Sequence, residues 1–200
     1  MEQVFDAIAD GLADKQYAIV DNFLKEEEVD AILKEDHFQH YQQHFKKAGI
    51  GKQANAQINE AIRGDLISWI DPQTALPSTQ VYLSRLQDLI QFLNRALFLS
   101  LKDVEVHQTV YPIGSYYKRH LDQFKKDDAR KLSVILYLNK NWTAENGGQL
   151  RIYSNDQSFD VLPIAGRLVC FRSDALEHEV MPATRERLSI TGWILDRIKI

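Results

Sequence analysis

Leu132-Ser133-Val134-Ile135-Leu136-Tyr137-Leu138 carries two interleaved sets of side chains. In an extended chain neighbouring residues point to opposite faces, so Leu132, Val134, Leu136 and Leu138 share one face and Ser133, Ile135 and Tyr137 the other. The first face is pure core. The second either packs or lines a pocket, with the phenol as a hydrogen-bond donor. Further strand patterns lie on either side, at 104–111, 116–122, 148–153, 159–162, 167–171, 178–181 and 188–195. Turn signals separate them at 112–114, 146–148, 154–156, 163–166 and Pro182. Many short strands at this spacing predict a barrel or a two-sheet sandwich such as a jelly roll.

Before about residue 100 the pattern is mostly helical. Val4, Phe5, Ile8 and Leu12 fall on one helical face, and 17–20 is a short β-like run. Residues 23–47 read as a helix with Glu26, Glu27 and Glu28 in the first turn, where the helix dipole favours acids. Residues 79–99 read as the best helix, started by Pro77-Ser78, with Val81, Leu86, Leu89, Ile90, Leu93 and Leu97 as its apolar stripe. The expected class is therefore α+β: helical support over 1–100 packed on a β core over 101–200, one domain overall.

Composition narrows the function classes. With 200 residues, 44% of them hydrophobic, the chain can bury a substantial core. A net charge of -4 is not the basic footprint of a nucleic-acid binder, so no nucleic-acid partner is expected. No apolar run approaches a membrane span, and the first residues lack the basic start and apolar run of a secretion signal. The single cysteine, Cys170, sits in an apolar run and reads as a buried thiol. The expectation is a cytoplasmic protein with no membrane partner.

His120-Leu121-Asp122 is the first chemical signal, because residues two apart on a strand face the same way. Together with His178 they make two imidazoles and one carboxylate, a set that leaves open positions on iron(II) for a co-substrate and O2. The same three residues also fit a hydrolytic zinc site, and His-x-Asp alone occurs by chance. Alternation over 187–194 puts Arg187, Ser189, Thr191 and Trp193 on one face. A guanidinium on an inward face is costly unless it meets an anion, and its fork matches a carboxylate; a surface ion pair is the alternative. His37, His40 and His44 fall on one helical face but lack an acidic or thiol partner at ligand spacing, so they read as a solvated face. His107 either lines a cavity or packs.

The order His120-x-Asp122, Gly147-Gly148-x-Leu150, His178-Glu179-Val180 and Arg187 resembles the 2-oxoglutarate- and iron-dependent oxygenases. Within them the chain resembles the prolyl 4-hydroxylases, in particular the branch of the animal hypoxia-inducible-factor prolyl hydroxylases, as a bacterial-type member. The matching stretches include Ile62-Arg63-Gly64-Asp65, Tyr111-Pro112 leading to Arg119-His120, Tyr137-Leu138-Asn139-Lys140 and His178-Glu179-Val180-x-Pro182. The loop before His120 is one residue shorter than in the animal branch.

The resemblance implies a double-stranded β-helix buttressed by N-terminal helices. It implies that His120, Asp122 and His178 ligate iron(II), that Arg187 holds the distal carboxylate of 2-oxoglutarate with support from Tyr137, and that Tyr111, Thr191 and Trp193 line the co-substrate pocket. O2 is the second co-substrate and L-ascorbate an accessory. The implied activity is hydroxylation of an exposed proline in a protein substrate, releasing succinate and CO2, with elongation factor Tu as a first candidate. The same chemistry on another residue or a free amino acid is the alternative. Segment 50–65 is expected to close over substrate. Asp65, Arg130 and Trp193 are its expected substrate contacts, with Asp65 paired to Arg130.

Overall fold

The computed structural model describes residues 1–49, 59, 61–123, 128–154 and 157–198. In chain order the elements are α1 (Glu2–Lys15), β1 (Tyr17–Val20), α2 (Glu26–Leu33), α3 (Asp36–Gln39), α4 (Tyr41–His44), β2 (Lys46–Lys47), β3 (Leu66–Trp69) and α5 (Pro77–Ala96). The β-rich half follows with β4 (Asp103–Tyr111), β5 (Tyr117–His120), β6 (Arg130–Tyr137), β7 (Leu150–Ser154), β8 (Gln157–Val161), β9 (Leu168–Arg172), β10 (Glu177–Val180) and β11 (Arg187–Leu195).

The strands form a seven-stranded sheet of order β1-β9-β6-β11-β4-β3-β2 and a four-stranded sheet of order β5-β10-β7-β8. All the pairings between these strands are antiparallel. Strand parity sorts their side chains into two cores. Leu132, Val134, Leu136, Leu168, Cys170, Ile190 and Ile194 face α1, α2 and α5 in one core. Ile135, Tyr137, Val169 and Phe171 face Leu150, Ile152 and Val180 of the smaller sheet in the other. Two antiparallel sheets enclosing a core and one face buttressed by helices make a double-stranded β-helix. Cys170 is fully buried, which pushes its thiol up to about 12.

The helical region departs from expectation in three ways. The expected helix over 23–47 is three short helices, because Glu35 leaves helical geometry (φ -63°, ψ 142°) and turns its carboxylate to the start of α5. Glu35 there accepts from the Thr79 amide (3.0 Å), the Thr79 hydroxyl (2.8 Å) and Ser78 (2.6 Å). On α5, Val81 is exposed and Tyr82 takes the core position. The His40 and His44 rings do have an acidic partner, Asp36, whose two oxygens each lie 2.8 Å from one ring nitrogen. Strands β1, β2 and β3, all from the first 100 residues, complete the larger sheet at both edges.

Candidate active site

Between the two sheets opens a cleft whose wall is the inner face of β3, β4, β6 and β11. Cross-strand register sets its rows. Ile135, Thr191, His107 and Trp69 form one row, Ser133, Trp193 and Glu105 the next, and Arg187 with Tyr111 stand two rows away on the other side.

His120, Asp122 and His178 meet in this cleft, each offering a ligand atom within 4.8 Å of the others. His120 ends β5 and pairs with His178 on β10, while Asp122 lies in the bend just beyond the strand. Each imidazole has its Nδ1 at a backbone carbonyl two residues earlier, Lys118 O at 2.6 Å for His120 and Leu176 O at 3.3 Å for His178. That assigns the proton to Nδ1 and turns the Nε2 atoms toward Asp122, at 3.5 and 3.7 Å. Ser133 donates to Asp122 Oδ2 (2.6 Å) and fixes the carboxylate's rotation. Burial favours the protonated Asp122 carboxyl, but His178, His120 and Ser133 outweigh it and hold the group well below the usual carboxylate range. Burial pushes His178 down to about 4, leaving it neutral. Two imidazoles and one ionised carboxylate, converging on a point and oriented from behind, fit a divalent cation.

Arg187 is 1% exposed yet borders the cleft. Its Nε donates to Gly148 O (2.9 Å) and its Nη2 to the Tyr137 hydroxyl (3.3 Å), with the rings of Tyr137 and Tyr111 4.9 and 5.1 Å from the guanidinium carbon. Tyr137 is fully buried behind Arg187 and off the cleft surface, so it acts on the cleft through the guanidinium. A buried cation whose remaining donors face a cleft is a seat for an anion. Burial raises the pKa of both phenols, which keeps them neutral donors.

On the other flank, Thr191 and Trp193 line the wall, and Asp65 and Arg130 border the cleft. The expected Asp65–Arg130 pair is replaced by two other pairs. Asp65 accepts a two-bond fork from Arg63 (2.6 and 2.7 Å), its neighbour two residues away. Arg130 forks onto Glu105 (3.0 and 3.1 Å), covers the Trp193 ring at 3.4 Å and reaches Asp122 O (3.3 Å). Of the expected closing segment 50–65, residues 50–58 and 60 lie outside the described residues.

Sequence reasoning missed Tyr117 and Arg63. Simple alternation puts Tyr117 and His120 on opposite faces of β5. However, His178 pairs with His120 and Val180 with Tyr117, so three steps on β5 match two on β10. This bulge turns Tyr117 to the same face as His120.

The profile of the 2OG-Fe(II) oxygenase superfamily matches residues 106–195, the segment that holds the clustered His120, Asp122 and His178 and also Arg187. The chain is 32% identical over 188 residues to the prolyl hydroxylase EGLN3 of Mus musculus, covering 90% of this chain and 78% of that one. Among solved structures it superposes on a Pseudomonas putida prolyl-4-hydroxylase with a TM-score of 0.87 and 39% identity, over 97% of this chain and all of the other. A prolyl hydroxylase from Trichoplax adhaerens, solved with a peptide fragment of the hypoxia-inducible-factor oxygen degradation domain, gives 0.85 and 30% over 98% and 90%. The chain belongs to the 2OG-Fe(II) oxygenases and is an oxidoreductase. Within that family it stands with the prolyl hydroxylases.

Proposed function

We propose that this protein hydroxylates an exposed proline in a protein substrate. The observation that carries the reading is the pairing, within one cleft, of a two-histidine, one-carboxylate cluster with the buried Arg187 guanidinium. A hydrolytic zinc site needs only the metal and its water for the chemistry, whereas a dicarboxylate co-substrate needs a second anchor, which Arg187 offers. Iron(II), 2-oxoglutarate and O2 together supply the oxidising chemistry, in which 2-oxoglutarate loses CO2 to give succinate and one oxygen enters the substrate.

The residues divide the work. His120, Asp122 and His178 hold the metal. Arg187 takes the far carboxylate of 2-oxoglutarate, Tyr137 keeps the guanidinium from rotating, and Tyr111 and Thr191 border the co-substrate. Trp193 lies between co-substrate and substrate. Asp65 and Arg130 stand on the substrate side. Ile135, Leu150 and Val180 exclude water around the reacting centre. Among the described residues no helix is long and apolar enough to cross a membrane. A cytoplasmic globular partner suits the reading, with elongation factor Tu as the first trial and ascorbate as the accessory reductant.

The test mixes anaerobic protein with iron(II), 2-oxoglutarate and a panel of proline-bearing proteins including elongation factor Tu, then admits air. The expected result is succinate release with one oxygen gained on a proline. His178→Ala abolishes both, and Arg187→Ala retains metal but loses co-substrate affinity by about tenfold or more, as a buried charge-assisted fork is lost. If 2-oxoglutarate binding needs no metal, or Arg187→Ala turns over normally, the reading is wrong.

A further inference from the structure

The two histidines of the cluster are held differently. His178 is buried and meets the edge of Phe171 at 4.7 Å. His120 keeps 17% of its side-chain surface open, and its two nitrogens lie at Lys118 O (2.6 Å) and Asp122 Oδ1 (3.5 Å), contacts at the ring's edge that leave its faces to other groups. The phenol of Tyr117 lies flat on this ring, with centroids 3.6 Å apart and planes 17° from parallel. The guanidinium of Arg63 sits 4.3 Å from the centre of the same phenol. Each face of a ring accommodates one flat group at such distances, so Tyr117 is sandwiched between Arg63 and His120.

Arg63 is itself fixed. Asp65, with no exposed side-chain surface, takes two of its donors, and Gly49 O takes a third at 3.3 Å. The backbones on the two sides of the stack are tied as well, Gly64 N to Tyr116 O and Lys118 N to Ile62 O, both at 2.9 Å. A histidine that ligates a metal gains positive character, which the electron-rich face of a phenol favours. Arg63 alone would oppose that charge through the ring, and the Asp65 carboxylate cancels it.

We propose that Tyr117 is a positioning residue for the metal site. Its face holds the His120 ring in the ligating orientation, and the Asp65–Arg63 pair clamps the phenol from behind. The inference rests on the reading of His120 as a ligand. It adds that the segment 63–65, on the substrate side of the cleft, reaches the metal through one aromatic ring. Arrival of substrate against Arg63, which keeps 11% of its side-chain surface open, is thereby felt at a ligand.

The test titrates full-length, metal-free protein with cobalt(II) under anaerobic conditions, followed by absorbance, so that neither substrate nor turnover enters. Thermal melts of each variant check folding. Tyr117→Phe keeps the ring and is expected to bind cobalt within about twofold of wild type, while Tyr117→Leu weakens binding by about tenfold to a hundredfold, the usual cost of losing a group that orients a ligand. Wild-type affinity in Tyr117→Leu overturns the proposal. So does an equal loss in Tyr117→Phe, which would place the effect in the hydroxyl. Should Tyr117→Leu not fold, Arg63→Met serves, since losing the clamp is expected to weaken cobalt binding with both rings retained, and unchanged affinity overturns the proposal. His120→Ala separates the two readings: cobalt binding that survives it defeats the ligand assignment itself.

Discussion

His107 stands in the middle of the cleft wall, between Thr191 on β11 and Trp69 on β3. Its Nδ1 is 2.8 Å from the Thr109 hydroxyl, and its ring meets Trp69 nearly edge-on at 5.0 Å. Burial pushes the imidazole down to about 4 from its ordinary 6.5, with Asp65 pulling it up and Arg63 pushing it further down. The ring is therefore neutral in the fold over a pH range where the unfolded chain is protonated. Between those values the unfolded state binds the extra proton, so stability rises with pH and is lost as pH falls from about 6.5 toward about 4. The contribution has an upper bound of roughly 3 kcal/mol. Urea melts of wild type and His107→Gln across this window test the point: the wild type is expected to lose stability more steeply toward acid, and parallel curves would show that His107 does not titrate this way. From sequence the residue read equally as packing or as a cavity wall, because β4 is buried on both faces near it and alternation alone does not separate the two.

At the scale of elements, the long strands were the legible part. The seven residues quoted first send their leucines and Val134 to the helices and Ile135 and Tyr137 to the space between sheets, as parity requires. Strand β11 likewise presents Arg187, Thr191 and Trp193 to the cleft. What parity missed was local irregularity: the bulge on β5, and the break after α2, where a tertiary bond wins over helix propensity. That break has a measurable consequence. Helix α5 has no side-chain cap of its own at Leu76, and Glu35 supplies the acceptor instead, within a buried set that also includes Gln108 Nε2 at 3.3 Å. Glu35→Ala strands these donors away from water and is expected to cost about 2–4 kcal/mol. Glu35→Gln retains one acceptor oxygen and should cost less. Cobalt binding by the folded fraction should stay at wild-type affinity in both, since Glu35 lies outside the cleft lining. A loss of stability under about 0.5 kcal/mol in Glu35→Ala would mean the cap is dispensable.

For the molecule as a whole, the change of pattern near residue 100 marks a change in element type, yet the two halves share one core. The outer face of the larger sheet, with Val134, Leu136, Leu168, Cys170, Ile190 and Ile194 each fully buried, is covered by helices from the first half. The first half also closes both edges of that sheet, β1 beside β9 and β3 beside β4. The supporting helices were visible in the sequence, as was the edge strand β1; the edge strands β2 and β3 were not, and the two residues of β2 fell inside the run read as a helix over 23–47. A fragment of residues 101–200 retains the three proposed metal ligands and Arg187, and on motif content alone it should bind 2-oxoglutarate and metal. Its energetics argue the reverse. Each fully buried Val, Leu or Ile exposed by the cut forfeits about 1.5–3 kcal/mol of burial, and several such residues exceed the whole stability of an ordinary domain, about 5–15 kcal/mol. Two bared sheet edges add templates for aggregation. The full chain is expected to unfold in urea in one cooperative step, and the fragment to show no cooperative transition and no cobalt binding at concentrations that saturate the full chain. A fragment that melts cooperatively and binds cobalt would show that the β core carries its own stability and that the helices only decorate it.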